Sequence, residues 1–172
     1  TLYSVNHDHF EFLQPWLTHY RELGVERFII VDDRSTEPLD QHLTGNDVYV
    51  LRPLFGECRT SKVFWLRALM GAFQDDNSWV VTADIDEFLD IGALGEGEPD
   101  TRSRLGALIN SAESRGRRQL AGLLVDMMPA PGAKAITGAN FLNKMNWHYM
   151  RPATQGLGYQ HQPSVNWAFG RF

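Results

Sequence analysis

Cysteine and lysine are scarce in this chain, and it has no long hydrophobic run. The one cysteine among 172 residues, Cys58, cannot form an internal disulfide, which favours a reducing compartment or a protein that is indifferent to the redox state of its compartment. Three lysines and a net charge of −5 argue against nucleic acid as a partner, because phosphate neutralisation needs a basic face. No apolar stretch approaches the roughly 18–20 residues of a membrane-spanning helix. We expect a cytoplasmic protein without a transmembrane segment, or one lying peripherally at the inner face of a membrane.

The composition is that of a folded protein. Aromatic residues make up 12% of the chain and charged residues 22%, which excludes an intrinsically disordered chain. Since typical domains contain about 100–200 residues, this length favours one domain.

Short apolar runs alternate with segments of helical spacing. The runs at 28–31 and 79–83 are apolar on both faces, which is typical of buried parallel strands. A helix is predicted to begin near 11–14, because Pro15 fits only in a first turn, and to end at Gly24. The other predicted elements are strands over 2–5, 47–51 and 120–125, helices near 38–43 and over 61–73 and 105–114, and a loop over 92–104. This alternation predicts an α/β fold with a parallel sheet.

Acidic residues follow two of the predicted strands. Asp32 and Asp33 close one strand, and Asp84 and Asp86 come directly after another. Ligands of parallel sheets bind beyond the carboxyl ends of the strands. We therefore expect both acidic clusters to face the same crevice.

Each cluster has two possible roles. Asp84 and Asp86 are two apart on an extended chain and point to one side, which suits Mg²⁺ or Mn²⁺. Alternatively, the first caps a turn and the second is solvated. Asp32 and Asp33 could recognise a base or ribose, or could cap the turn that follows them. The local sequence does not decide between these roles.

Four stretches, taken together, carry a family resemblance. They are Asn6, residues 16–25 (WLTHYRELGV), residues 28–36 (FIIVDDRST) and residues 79–89 (WVVTADIDEFL). In this order and spacing they resemble family-2-like glycosyltransferases of the GT-A fold, in the branch that includes the family-92-like enzymes. The resemblance implies a Rossmann-like GT-A fold with a mainly parallel central sheet flanked by helices. It implies a single domain over 1–172, with a nucleotide-sugar-binding half at 1–90 and an acceptor-side half at 91–172 that we expect to be incomplete.

The resemblance also implies an activity. The expected reaction moves a sugar from a nucleotide-diphosphate sugar, by default a UDP-sugar, to a hydroxyl of a glycan or glycolipid acceptor, with inversion and with Mn²⁺ or Mg²⁺. Asp84 and Asp86 would hold the metal. The expected nucleotide-binding residues are Asn6, Asp32, Asp33, Ser35, Arg67 and Asp84. Arg59 or Lys62 could supply the leaving-group cation in place of Arg67. Two positions depart from the family pattern: His7 stands where the family has an acidic residue, and Glu37 stands where it usually has Asp.

The acceptor hydroxyl requires a carboxylate base. Asp126, at the carboxyl end of the predicted 120–125 strand, and Glu87 are the candidates. Glu87 could instead support its own loop. Two other functions stay open: a module that binds a nucleotide sugar without turnover, and a metal-dependent phosphoryl-transfer or phosphodiester enzyme that uses the same carboxylates.

Overall fold

The computed structural model describes residues 1–43, 45–73, 78–91, 101–121 and 168–170. At its centre is a parallel sheet of four strands in the order β3-β2-β1-β4. The strands are β1 (Leu2–Asn6), β2 (Phe28–Asp32), β3 (Val48–Leu51) and β4 (Val81–Thr82). The predicted α/β fold with a mainly parallel sheet is confirmed.

Helices cover both faces of this sheet. They are α1 (Phe10–Glu22), a 3₁₀ turn (Leu39–His42), α2 (Cys58–Phe73) and α3 (Thr101–Ser114). Strand side chains alternate between the faces. Phe28 and Ile30 join the core that contains the buried residues of α1, whereas Ile29 packs with Leu66 and Leu69 of α2. Burial on both faces explains the unbroken apolar run of β2.

The first helix ends as predicted but begins earlier. Gly24 has a φ of +96°, and the N–H of Val25 donates to the carbonyl of Tyr20. This is the hydrogen bond of a Schellman motif, which gives a partner to a carbonyl in the last turn of the helix. The helix begins at Phe10 rather than near 11–14, and Pro15 lies inside it. The ring falls in the second turn, where its missing N–H removes one helical hydrogen bond.

Other boundaries also differ from prediction. The helix α2 begins at Cys58, three residues before the predicted start, because a carboxylate distant in sequence accepts the N–H of Cys58. The helix α3 begins at Thr101, so residues 101–104 of the predicted loop are helical. Within the predicted strand 79–83, only Val81–Thr82 belong to β4.

The described part of the predicted strand at 120–125 does not extend the parallel sheet. Instead, β5 (Gln119–Ala121) pairs antiparallel with β6 (Ala168–Gly170) in a separate two-stranded sheet. The partner strand lies almost fifty residues further along the chain, so no local pattern could reveal this pairing. The rest of the predicted strand lies outside the described residues.

The strand order contains one reversal. From β1 the chain builds β2 and β3 on one side and then returns to place β4 on the other side of β1. In open parallel sheets, the crevice at such a reversal, beyond the carboxyl ends of the strands, is where ligands bind. The residues that follow β1, β2 and β4 therefore define the candidate site.

Candidate functional site

The sheet register brings the strand ends together. Asn6 at the end of β1 lies opposite Asp32 at the end of β2. On the other side of β1, the Ser4 hydroxyl donates a 2.6 Å hydrogen bond to the carbonyl of Ala83. This bond fixes the chain immediately before Asp84. Both acidic clusters consequently leave the same edge of the sheet, as the sequence predicts.

Asp32 caps the loop that follows it. Its carboxylate is buried and accepts the N–H of Ser35 at 3.2 Å and the N–H of Leu39 at 3.3 Å. A carboxylate accepting backbone N–H groups is the capping role left open by the sequence. Lone pairs remain on both oxygens, so this role does not prevent Asp32 from accepting a ligand's donor.

Asp33 joins β2 to the N-terminus of α2. One oxygen accepts the N–H of Cys58 at 2.5 Å, and the other accepts the guanidinium of Arg34 at 2.8 Å. Arg34 has a φ of +55°, a strained conformation for a residue with a side chain. The side chain of Asp33 is thus fixed at the start of α2, where the helix dipole favours a negative charge.

Lys62 of α2 reaches the second acidic cluster. Its ammonium group forms an ion pair with the carboxylate of Asp84. Cys58 and Lys62 are four residues apart and lie on one side of the helix. Because Cys58 contacts Asp33 and Lys62 contacts Asp84, the first two turns of α2 connect the two clusters.

The surroundings of Cys58 favour the neutral form of its thiol. Burial raises the pKa of the Cys58 thiol, and the charges of Asp33 and Asp84 raise it further, against the opposite effect of Lys62. A thiol is a poor nucleophile compared with a thiolate. The structure therefore gives Cys58 a packing position rather than a nucleophilic one.

Asp84 and Glu87 close a tight turn. The N–H of Asp84 donates to the Glu87 carboxylate at 2.9 Å, and the N–H of Glu87 donates to the carbonyl of Asp84 at 3.0 Å. Burial raises the pKa of Glu87, and the negative charges of Asp84 and Asp86 add to the rise. Glu87 thus supports its own loop, while Asp86 is exposed at the top of the turn.

The same loop is held from below by α1. The buried Tyr20 hydroxyl donates to the carbonyl of Glu87 and accepts the N–H of Leu89, both at 3.2 Å. The His19 ring donates through Nε2 to the carbonyl of Leu89 at 2.9 Å and packs edge-on against Phe88. Residues 19–20 and 84–89 of the quoted stretches are therefore in direct contact.

A second network surrounds the end of β1. The buried Asn6 donates through Nδ2 to the Ser35 hydroxyl at 3.3 Å, and its Oδ1 accepts no hydrogen bond from the described residues. The Asp8 carboxylate accepts both the N–H and the hydroxyl of Thr36, at 2.6 and 2.9 Å. His7 donates through Nδ1 to the carbonyl of Asp33 at 2.6 Å. Asn6 and Ser35 thus lie together beside the acidic edge.

Among the described residues, one predicted site residue is not brought to this edge. Arg67 is exposed on the outer side of α2, away from the buried Trp65. Asp126 lies outside the described residues, so its role as a base stays a prediction. Residues 19–20, Asp8, Arg34 and Cys58 were not expected at the site. Asp8 lies two residues beyond the carboxyl end of β1, and this position in the sequence could have indicated that it belongs to the site.

A divalent ion at this site would need ligands besides the carboxylates of the described residues. Within the described segments, no group of three or more His, Cys, Asp or Glu residues is placed to hold a metal. Asp84 and the exposed Asp86, which lie in the 84–87 turn rather than on the predicted extended chain, could supply one or two oxygen ligands. Mg²⁺ is commonly held by one or two carboxylates together with substrate phosphates. The donor set therefore suits a cation that arrives with a diphosphate.

No helix in the described part of the chain has the length and hydrophobicity to cross a bilayer.

No protein-family model matches the chain, and no curated protein matches it significantly.

Proposed function

We propose that this chain is a glycosyltransferase domain of the GT-A type. It transfers a sugar from a nucleotide-diphosphate sugar to an acceptor hydroxyl, with inversion and with Mn²⁺ or Mg²⁺. The observation that carries this proposal is the connection of two carboxylate clusters, at the ends of β2 and β4, by the first two turns of α2. The family resemblance of the same residues is a second support.

The diphosphate would lie between the clusters. Asp84 and Asp86 would hold the divalent ion, which neutralises the charge that develops on the departing nucleoside diphosphate. The Lys62 ammonium supplies a second positive charge beside Asp84, and it can stabilise the leaving group without giving up a proton. When a diphosphate and its metal bind, the Lys62 ammonium can leave its ion pair with Asp84 and form one with a phosphate oxygen instead.

The nucleoside would lie toward β2. Asn6 is buried there, and its Oδ1 accepts no hydrogen bond from the part of the chain that the structure describes. A buried carbonyl oxygen without a hydrogen bond costs free energy unless a ligand donates to it. Ser35 lies within hydrogen-bond distance of the same side chain. Asp32 and Asp33 keep free lone pairs at this position. These four residues form the proposed nucleoside pocket wall.

The base that activates the acceptor is assigned to Asp126 or Glu87. A general base must approach the hydroxyl to hydrogen-bond distance, and a raised pKa makes it a stronger proton acceptor. The pKa of Glu87 is raised by burial, but one of its oxygens already accepts the N–H of Asp84. Replacing each of the two in turn decides between them.

A product assay tests the proposal. The protein is incubated with UDP-, GDP-, CDP- and TDP-sugars and Mn²⁺, and both nucleotide release and sugar transfer are followed by chromatography. Asp86→Asn should abolish turnover with its cognate donor. Glu22→Gln, the same loss of one charge at the end of α1 near the opposite edge of the sheet, should leave it intact. Full activity of Asp86→Asn with the cognate donor would refute the assignment.

A nucleotide-sugar-binding module is the second candidate. The observation that favours it is the structural use of Glu87, whose carboxylate closes the Asp84 turn. Binding of one nucleotide sugar in calorimetry, with no product across a panel of acceptors, would support the module and exclude the transferase. Phosphate release without sugar transfer would instead indicate phosphoryl-transfer chemistry.

A further inference from the structure

Large apolar side chains are exposed beside the site, on the loop before α2 and on the outer side of α2. Leu54 is 97% exposed, Phe55 61%, Val63 62% and Phe64 58%. The ring centroids of Phe55 and Phe64 are 5.8 Å apart, so the loop and the helix are in contact through exposed aromatic side chains. We call these four residues the apolar patch. Contiguous exposed apolar surface of this kind marks an interaction site.

The loop that carries the patch is fixed at its end. Gly56 has a φ of +79°, and a Cβ atom there would lie 2.2 Å from the Ser61 hydroxyl oxygen, so only glycine fits. Arg34 donates to the carbonyl of Gly56 at 2.8 Å, and Asp33 accepts the N–H of Cys58. Leu54 and Phe55 thus project into solvent from a loop that is anchored to the candidate site.

Cations accompany the apolar patch. Arg59 and Arg67 are exposed and form no ion pair with the described residues. Arg59 and Arg67 are four residues before and after Val63, which places all three on the outer side of the helix. The helix α2 contains no acidic residue, although the whole chain carries a net charge of −5. One exposed acid, Glu57, lies directly before the helix, so Arg59 and Arg67 together leave this surface with a net positive charge.

We propose that the apolar patch docks on the surface of an anionic lipid bilayer. Apolar side chains flanked by arginines are the pattern of an interfacial membrane site, in which the side chains enter the headgroup boundary and the guanidinium groups meet lipid phosphates. A second copy fits less well. A two-fold contact would place this patch against itself and bring Arg59 and Arg67 close to the same cations of the partner.

Docking in this way would hold the candidate site at the membrane surface. Gly56 and Cys58 connect the patch directly to the Arg34 and Asp33 turn. The inference rests on exposure and charge and does not depend on the proposed transferase activity.

Vesicle flotation tests the proposal. The full chain should float with phosphatidylcholine vesicles that contain about 30% phosphatidylserine, and should bind pure phosphatidylcholine about tenfold more weakly. The double variant Arg59→Glu/Arg67→Glu should lose at least about tenfold in binding to the anionic vesicles. Its control, Arg115→Glu/Arg117→Glu, makes the same charge change at exposed positions after α3 and should bind like the wild type.

A second variant isolates the apolar contribution. Leu54→Ser/Phe55→Ser should weaken flotation with both kinds of vesicle while the melting temperature stays unchanged, because both side chains are exposed. Absence of flotation, as expected for an acidic protein partner or a second copy, would overturn the proposal. So would equal losses in the Arg115/Arg117 control, since binding would then follow net charge alone.

Discussion

Lys62 and Asp84 form an ion pair across the edge of the sheet where the two acidic clusters meet. Lys62 is on α2, whereas Asp84 follows β4, and both side chains are about one-third exposed. Repelling carboxylates in one crevice require a compensating cation. The chain supplies one in Lys62, and this cation is placed to pair with phosphate when a ligand enters.

Loss of the Lys62 charge should weaken diphosphate binding. Lys62→Gln is expected to reduce the affinity for the cognate nucleoside diphosphate about tenfold, since a charge-assisted contact is lost. Arg67→Gln on the outer side of the same helix should change the affinity less than about twofold, as expected for a residue away from the site. Isothermal titration calorimetry in the presence of Mn²⁺ measures both. Equal effects of the two substitutions would show that Lys62 acts only through net charge.

Tyr20 should control the position of the Asp84 loop. Tyr20→Phe removes the hydroxyl that hydrogen-bonds to the carbonyl of Glu87 and to the N–H of Leu89. Because both backbone groups lose their partner, the free energy of unfolding should fall by about 1–3 kcal/mol. Burial raises the pKa of Tyr20, so the hydroxyl stays protonated at every pH of interest. Urea denaturation gives the stability.

The matched control for Tyr20 is Tyr49→Phe, which removes an exposed hydroxyl on the edge strand β3 and should be neutral. We also expect the Tyr20 variant to bind the metal–nucleotide pair more weakly than the wild type under fully folded conditions. If only its stability falls and its affinity is unchanged, the hydroxyl supports the fold without positioning the site.

Asp33 should stabilise the start of α2. Asp33→Ala removes the acceptor for the Cys58 N–H and should lower the free energy of unfolding by about 1–2 kcal/mol, the usual cost of losing a helix cap. Asp33→Asn keeps an acceptor oxygen and should lose less. Denaturation curves of the two variants make the comparison. A larger loss in Asp33→Asn would contradict a capping role.

The Arg21–Asp47 pair should make stability depend on pH. Two 2.7 Å hydrogen bonds from Arg21 hold the pKa of Asp47 below its ordinary value. A lowered pKa stabilises the folded state at pH values above the unfolded pKa of about 3.9, and this contribution disappears as the pH falls through the folded pKa. Asp47→Asn should therefore cost about 0.5–1 kcal/mol at pH 7, with the smaller value favoured by partial exposure.

Urea denaturation of wild type and Asp47→Asn between neutral and strongly acidic pH checks this sign. The difference between them should narrow as the pH falls below about 3.9, and it should close once the pH lies below the lowered pKa of Asp47 in the folded state. Asp40→Asn, which breaks a largely exposed pair with Arg52, should change stability little at any pH. If Asp47→Asn is still less stable than the wild type in strong acid, the carboxylate charge is not the cause of the difference in stability.

Local patterns predicted the parts of the fold that depend on local physics. The strand β2 is apolar on both faces, and Gly24 provides the positive φ at the end of α1, so both could be read directly. The meeting of Asp33 and Asp84 at one edge followed from the general rule for parallel strands.

The contacts that complete the site could not be read in this way. The start of α2 depends on a hydrogen bond from Cys58 to Asp33, twenty-five residues earlier, and Tyr20 meets Leu89 across sixty-nine residues. The pairing of β5 with β6 is equally distant in sequence. Propensity and periodicity describe neighbours along the chain, whereas these contacts depend on how separate elements pack.

The most direct test of the shared site is calorimetric titration of the cognate nucleoside diphosphate, with and without Mn²⁺, into the wild type and Asp86→Asn. A single site predicts binding to the wild type that requires Mn²⁺, and a loss of at least about a hundredfold in the variant. Binding that is indifferent to Mn²⁺ and equally strong in Asp86→Asn would contradict the account.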